Sequence, residues 1–366
     1  MKYYIIAGEA SGDLHGSNLV KGLLAEDKDA RIRCWGGDLM QQAGAELVRH
    51  YRSGAVMGLT EVLKKAGKLL GNVRDCKEDI VRWNPDVVIL IDYPGFNMKI
   101  AEFCHSRHIR TFYYIAPKTW ASREDRNAKL RKYIDMMFIV FPFEVPYFTE
   151  KGIPFIYKGN PLIDAIDGHE FSTVSEEPYI ALLAGSRKDE IARMMPVCME
   201  VADRLGCKVI IAGAPARTEE DYLPHIAGRK HVELIFGRTY DILKYAQAAI
   251  VNSGTASLET ALIGTPQVVC WSTSALTAFV ADKILHVLDH VKYISLGNLC
   301  IDRAAFRELI QDDFNADNVT AEVNRLMNDT DYRQKMLADY REIRMSLGGS
   351  GASRQVAGAM ISLMGR

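Results

Sequence analysis

The chain has 366 residues, with 45 Lys and Arg against 46 Asp and Glu. That length supports two domains with full cores, and the balanced charge excludes a chain-wide affinity for nucleic acid. Seven scattered cysteines with no Cys-x-x-Cys pair argue for buried thiols in a reducing compartment rather than a disulfide framework.

In chain order, Tyr3 to Ala7 reads as a buried strand. It begins almost at Met1, and no apolar run reaches the ~20 residues of a membrane span. The expectation is a protein without a signal peptide, cytosolic or attached only to a membrane surface. The strand runs into the small residues Gly8-Glu9-Ala10-Ser11-Gly12-Asp13, then a helix from near Gly16. This turn lacks the dinucleotide spacing and the Walker lysine; it suits a phosphate or a sugar, with Glu9 directed at hydroxyls as readily as at an anion. Further strands are predicted at 32–35, 87–91, 111–115 and 137–140, with helices from near Asp38, Leu59, Met98 and Arg123. Gly159-Asn160-Pro161 and the polar stretch 167–178 interrupt the pattern and mark a domain boundary. A second series follows, with strands near 179–183, 208–212, 232–235, 248–251 and 267–270. A charged helix over 331–347 ends at Gly348-Gly349-Ser350-Gly351. The last apolar stretch, Ala352 to Met364, packs either across the domain junction or onto a second subunit.

This alternation predicts an α/β protein with two Rossmann-like domains facing a cleft. The divisions are 1–165, 166–335 and a C-terminal helical segment, 336–366. The opening at Ala184-Gly185-Ser186-Arg187 repeats the one near the N-terminus: a buried strand, a small-residue turn, a helix start. Such turns leave backbone amides free for anions.

Three places carry candidate chemistry. Val87 to Ile91 is a wholly apolar strand with Asp92 at its carboxyl end, where ligands sit in open α/β sheets. Pro94 and Gly95 turn the chain, so Asp92 is presented; as a plain helix cap, Asn97 is the better placed residue. At 184–187, Gly185 permits close approach to a phosphate, and Arg187 can pair with its oxygens. At 249–259, the amides of Gly254, Thr255 and Ala256 open a helix toward a diphosphate, and Glu259 can accept from ribose hydroxyls. Asp27-Lys28-Asp29 and Asp329-Thr330-Asp331 read as solvated helix ends. Cys104, His105 and His108, and the pair His286 and His290, have helix-face spacing and no zincin glutamate. No metal and no cofactor is expected.

Taken together, the motifs resemble the lipid-A-disaccharide synthase family nearly end to end. They are residues 8–13, Val56-Met57-Gly58-Leu59-Thr60-Glu61-Val62-Leu63, Ile91 to Asn97, Pro117 to Trp120, Phe141-Pro142-Phe143-Glu144, Gly185-Ser186-Arg187, Ser253 to Glu259 and Ser295 to Asn298. The resemblance implies an inverting glycosyltransferase of the glycosyltransferase-B fold, acting in Gram-negative outer-membrane lipid synthesis. Its donor is UDP-2,3-diacylglucosamine and its acceptor 2,3-diacylglucosamine 1-phosphate; the products are the β-1,6 disaccharide 1-phosphate and UDP. It implies Asp92 and Arg187 as catalytic residues. Glu9, Ser11, Gly12, Met57 and Asn97 line the acceptor cleft. Gly185, Ser186, Arg187, Ser253, Gly254, Thr255, Ala256, Glu259 and Asn298 hold UDP. The first domain then faces acceptor and membrane, and the second binds the UDP-sugar. Ala184, Ser122, Asn160, Gly297 and Asp38 depart from common family residues, and none touches Asp92 or Arg187.

The apolar, basic stretch 56–70 carries Met57, Val62 and Leu63 with Lys64, Lys65 and Lys68. It fits an acyl groove resting on the inner face of the cytoplasmic membrane, and a core-packing helix would show the same stripe. Arg126, Lys129, Arg131 and Lys132, with Arg123, extend the basic run. A UDP-GlcNAc 2-epimerase or another glycosyltransferase of the same architecture is the rival reading. The expected partners are the two acylated sugars, the membrane surface and, in one alternative, a second copy of the chain; nucleic acid is not among them.

Overall fold

A computed structural model describes residues 1–54, 62–120, 124–273 and 292–365. Met57, most of the proposed 56–70 groove, Ser122, Arg123, His286 and His290 lie outside or largely outside the described residues. The described chain divides into two compact units, 1–165 with 347–366, and 166–346.

The first unit is built on β1 (Lys2–Ala7), β2 (Arg31–Gly36), β3 (Glu46–His50), β4 (Val87–Ile91), β5 (Arg110–Tyr114), β6 (Met136–Ile139) and β7 (Phe155–Tyr157). They form one parallel sheet in the order β3-β2-β1-β4-β5-β6-β7. Strands β1 and β4 are buried almost throughout, as expected for a parallel sheet covered on both faces. The covering helices include α1 (Ala10–Glu26), α2 (Asp38–Gln42), α3 (Val62–Trp83), α4 (Pro94–Ser106), α5 (Arg126–Tyr133), α6 (Glu144–Glu150) and α7 (Pro161–Asp167). The final helix, Ala352–Leu363, packs on α1. A Cβ on Gly22 would lie 3.1 Å from Ala357 Cβ, so the two backbones meet there at close range. Asp164 caps this helix, accepting from the amides of Gly351 (2.5 Å) and Ser353 (2.8 Å).

The second unit holds β8 (Tyr179–Leu183), β9 (Lys208–Gly213), β10 (Val232–Phe236), β11 (Ala248–Asn252), β12 (Gln267–Trp271) and β13 (Glu308–Ile310), parallel in the order β10-β9-β8-β11-β12-β13. Helices α8 (Lys188–Leu205), α9 (Leu223–Ile226), α10 (Thr239–Tyr245) and α11 (Thr255–Ile263) connect the strands. The helix Thr330–Ser346 runs unbroken through residue 335, where the sequence suggested a division. The structural break falls instead at Ser346/Leu347.

The chain order reverses between β1 and β4 in the first sheet, and between β8 and β11 in the second. These are the switch points where adjacent loops diverge and ligands bind in open α/β sheets. One expectation is corrected near the first, and another at the opposite end of β1. Residues 10–13 are the opening turn of α1, not a loop. Glycine lets the helix lie close to the sheet: a Cβ on Gly12 would stand 3.1 Å from Ala7 Cβ, and one on Gly16 would stand 2.7 Å from Met40 Sδ. Asp13 turns inward and accepts from the amides of Gly37 (2.8 Å), Leu39 (3.1 Å) and Met40 (3.1 Å). Asp27 is likewise not solvated. It is buried and accepts from the Met1 ammonium at 2.8 Å and the Tyr3 hydroxyl at 2.9 Å.

Candidate active site

Strand β4 delivers Asp92 at the first switch point. Asp92 and Tyr93 both have left-handed backbone, with φ of 42° and 48°. Such a conformation costs a non-glycine residue ~1–3 kcal/mol and persists only where its surroundings hold it. Three hydrogen bonds do so. Asn97 Nδ2 donates to the carbonyls of Ile91 (3.1 Å) and Asp92 (2.7 Å), and the Tyr113 hydroxyl donates to Asp92 O at 2.6 Å. Helix α4 starts at Pro94 with Tyr93 as its N-cap. Asn97 therefore sits inside the helix and is not the cap the sequence suggested; it holds the turn from behind. Its Oδ1 is buried without a hydrogen-bond partner among the described residues.

The loops after β1 and β4 interlock. Tyr93 lies over Gly8, where a Cβ would meet the ring at 2.2 Å, and stacks on Phe96 at 5.4 Å. Only glycine fits beneath it. Glu9 occupies the N-cap position of α1 and accepts from Ser11 Oγ at 2.8 Å. Burial raises the Asp92 carboxyl above the ordinary carboxylate range, and the Glu9 charge adds to the rise; Lys118 and the Tyr93 N–H oppose it. A carboxylate that resists ionisation is a stronger base once ionised.

Two neighbouring loops complete this edge. After β5, Thr119 N donates to Pro117 O at 2.6 Å, a three-residue turn with Lys118 at its apex. After β6, the buried Glu144 accepts from the amides of Val140 (3.1 Å) and Phe141 (3.0 Å) and from Trp120 Nε1 (3.3 Å). Burial pushes its carboxyl up to about 7 against these donors. Asn160 Nδ2 fixes the same loop through Val140 O at 3.0 Å.

In the second unit, Gly185 has φ of 112°, and a Cβ there would meet Asn252 Nδ2 at 2.5 Å and Glu190 at 2.7 Å. The glycine thus answers a close approach inside the protein. The amides of Ser186 and Arg187 both donate to Glu190 Oε2, at 2.9 and 3.2 Å. The anion position expected at this turn is filled by the chain's own carboxylate. Arg187 remains outside it, its side chain 80% exposed and paired with Glu190 Oε1 at 2.9 Å. The next strand offers the open amides. Gly254 is the N-cap of α11, and Thr255 and Ala256, at the first two helical positions, have no intrahelical acceptor. Ser257 Oγ is turned onto Gly254 O at 2.8 Å, and Ser253 Oγ onto Ile294 O at 3.2 Å.

Two expected nucleotide residues are otherwise engaged. Asn298 is fully buried. Its Nδ2 donates to Phe306 O and Glu308, and its Oδ1 accepts from the amides of Ala305 and Phe306. It shapes the 294–298 turn from within. Glu308 binds the same turn through the amides of Ile294 and Ser295, both at 3.0 Å. Glu259, in the second turn of α11, accepts from Tyr240 at 2.9 Å, and burial raises its carboxyl. Sequence reasoning missed Glu190, Glu308 and Tyr113 as parts of these loops, and it included Lys118 only within the motif Pro117 to Trp120, with no role of its own. The i, i+3 spacing of Arg187 and Glu190, a capping-box pattern, was the available signal for the first.

Within the first unit Asp92, Glu9, Ser11, Gly12 and Asn97 gather at the ends of β1 and β4. Within the second, Gly185, Ser186 and Arg187 lie beside Ser253, Gly254, Thr255 and Ala256 at the ends of β8 and β11. Among the described residues no group of three His, Cys, Asp or Glu is arranged to hold a metal ion.

A family model described as Lipid-A-disaccharide synthetase matches residues 3–359. The chain is 37% identical over 377 residues to the lipid-A-disaccharide synthase of Geobacter metallireducens, covering 99% of this chain and 97% of that one. Among solved structures, the UDP-GlcNAc 2-epimerase of Neisseria meningitidis bound to UDP-GlcNAc is similar with a TM-score of 0.72 at 12% identity, covering 99% and 100% of the two chains. A calicheamicin glycosyltransferase is similar with a TM-score of 0.61 at 16% identity, covering 100% and 98%. Likeness at such identity speaks for the glycosyltransferase-B type of fold alone, so it does not favour an epimerase over the family matched end to end. The chain is a glycosyltransferase and belongs to the lipid-A-disaccharide synthase family.

Proposed function

We propose that this enzyme transfers 2,3-diacylglucosamine from UDP-2,3-diacylglucosamine to the 6-hydroxyl of 2,3-diacylglucosamine 1-phosphate, with inversion, releasing UDP. The observation that carries the site assignment is Asp92: a base of raised pKa, clamped in strained backbone at a switch point. In this reading Asp92 takes the acceptor hydroxyl proton as the oxygen attacks the anomeric carbon. The bond to the UDP oxygen breaks, and the charge gathering there meets Arg187 and the amides of Thr255 and Ala256. Glu9, Ser11 and Gly12 border the acceptor. Glu259 takes a ribose hydroxyl through the carboxylate oxygen that Tyr240 leaves open. Asn298, Asn97, Gly185 and Ser186 support these groups through the backbone.

The test is UDP release by the purified enzyme. UDP should form only when both acylated sugars are present, and Asp92→Asn should fold normally while losing ~10²–10⁴-fold in turnover. Near-wild-type turnover of that variant would remove Asp92 from the mechanism.

We further assign the start of α3, with residues 56–61, to the acyl groove and to the inner face of the cytoplasmic membrane. The support is the acylated substrate class, the lysines 64, 65 and 68, and Leu70, 59% exposed on this helix. No helix of the described residues is long and apolar enough to cross a membrane. Replacing the three lysines with Gln should reduce salt-sensitive binding to anionic vesicles; unchanged binding would place the contact elsewhere. The last helix is used within the first unit, where Val356, Ala357 and Met360 are buried, so a homodimer would need another surface, and mass in solution tests for it.

A further inference from the structure

Lys118 takes no part in the assignments above. It is exposed and forms no ion pair among the described residues. It stands at the apex of the turn closed by Thr119 N and Pro117 O. The turn is pinned a second time, because Trp120 Nε1 is bonded to Glu144, and Glu144 is held by two backbone amides. Trp120 also packs edge-on against Phe143 at 4.8 Å. A flexible ammonium is thus carried on a fixed base, the arrangement that lowers the cost of binding an anion. Thr119 is 3% exposed and its hydroxyl has no partner among the described residues, a second donor in the same turn.

The position decides which anion. Strands β4 and β5 are paired with Ile91 opposite Tyr114, and Asp92 N donates to Tyr114 O at 3.3 Å. The loops carrying Asp92 and Lys118 therefore leave the sheet side by side, about 4.8 Å apart at the strand ends. One sugar ring bridges such a gap. Its hydroxymethyl group would reach the base while its anomeric substituent reaches the cation. At the same edge Arg52 and His50 face Asp38, at 3.9 and 3.4 Å. Arg126, at the start of α5, is half-buried and is the other basic group to test.

We propose that the 117–120 turn is a phosphate-monoester subsite, in which Lys118 recognises the anomeric phosphate of the acceptor sugar while its 6-hydroxyl lies at Asp92. The proposal rests on the transferase reading above and assigns to it the group that selects a phosphorylated acceptor.

The experiment compares two acceptors with the full-length enzyme: the diacylglucosamine 1-phosphate and the same sugar with a 1-O-methyl group. The readout is the ratio of their kcat/KM values. Wild type should prefer the phosphate. Lys118→Gln should shrink that preference roughly tenfold to a hundredfold, the range for a hydrogen bond to a charged group, through acceptor KM. Lys118→Arg should retain most of it, and Arg126→Gln should leave it in place. A ratio unchanged in Lys118→Gln overturns the proposal. So does an equal loss with both acceptors, which would mean that Lys118 acts on Asp92 instead, and so does a collapse produced by Arg126→Gln alone. Failure of the transferase reading itself would look different, since wild type would then make no disaccharide from either acceptor.

Discussion

Glu9→Gln isolates the electrostatic half of the Asp92 assignment. Glu9 and Asp92 leave adjacent strand ends, and the Glu9 charge is the second cause, after burial, of the raised Asp92 pKa. The substitution keeps a carbonyl oxygen for the Ser11 hydroxyl, which now lies 2.8 Å from Glu9 Oε1, so the turn keeps its bond and loses only the charge. The sign follows directly. A neighbouring anion disfavours ionised Asp92, so removing it lowers the Asp92 pKa. The acid limb of the kcat/KM profile, which reports the free enzyme's base, moves to lower pH. Glu9 lies at an open strand end, so the interaction belongs to the screened class of ~0.2–1 kcal/mol. The limb should move by less than burial alone contributes, because burial is the larger cause of the rise. The weaker base should also lower the plateau, by about twofold for Brønsted dependence of intermediate slope. Lys118 opposes the rise, so Lys118→Gln must move the same limb the other way. The assay is initial-rate UDP release across pH at low acceptor concentration. A limb that stays fixed or rises in Glu9→Gln would refute the placement of Asp92 as the titrating base.

Tyr113→Phe removes the hydroxyl that holds Asp92 O at 2.6 Å; kcat should fall with acceptor KM little changed, as read from initial rates, because the clamp loosens while the subsite stays. Arg187→Ala should raise the donor KM and lower kcat/KM with acceptor KM nearly constant; an acceptor defect with intact donor kinetics would reverse the assignment of the two units. Glu144→Ala leaves the Val140 and Phe141 amides and Trp120 Nε1 unpaired. At ~1–3 kcal/mol for each buried donor left unsatisfied, the thermal midpoint should drop by several degrees, measured by calorimetry.

The central strands were legible because a doubly covered parallel strand is apolar at nearly every position. Residues 87–91 and 179–183 were read with their full extent, and both are buried throughout. The edge strands Glu46–His50 and Phe155–Tyr157 were missed: the first has only two apolar residues among Glu46, Arg49 and His50, and the second is three residues long, too short to register as a strand. Helix α1 was started six residues late. Gly12 looked like a loop residue, yet it lies inside the helix and serves helix–sheet contact. Asp92 could be found because an acid after five apolar residues and before Pro-Gly has few structural uses. Glu190 and Glu308 could not, because the amides they satisfy belong to turns whose shape the sequence does not display.

Those hidden acids explain why Asp92 stands apart. Asp13 is consumed by three amides of the α2 turn, Glu144 by two amides and an indole, Glu190 by two amides and a guanidinium, and Glu308 by the 294–298 turn. Each spends its lone pairs on fixing a loop at the carboxyl edge of a sheet. A carboxylate enclosed by donors has no lone pair to offer a substrate, and this holds even for Glu144, whose carboxyl burial pushes up to about 7. Asp92 has the opposite surroundings. Its carbonyl, not its carboxylate, receives the bonds from Asn97 and Tyr113. The carboxylate is therefore held in place chiefly through the backbone, with the Tyr93 N–H as its one hydrogen-bond donor among the described residues, and keeps lone pairs for a substrate. That division of labour makes a specific demand on those four as rivals: Asp13, Glu144, Glu190 or Glu308, proposed as the base, must first give up a loop that it holds shut.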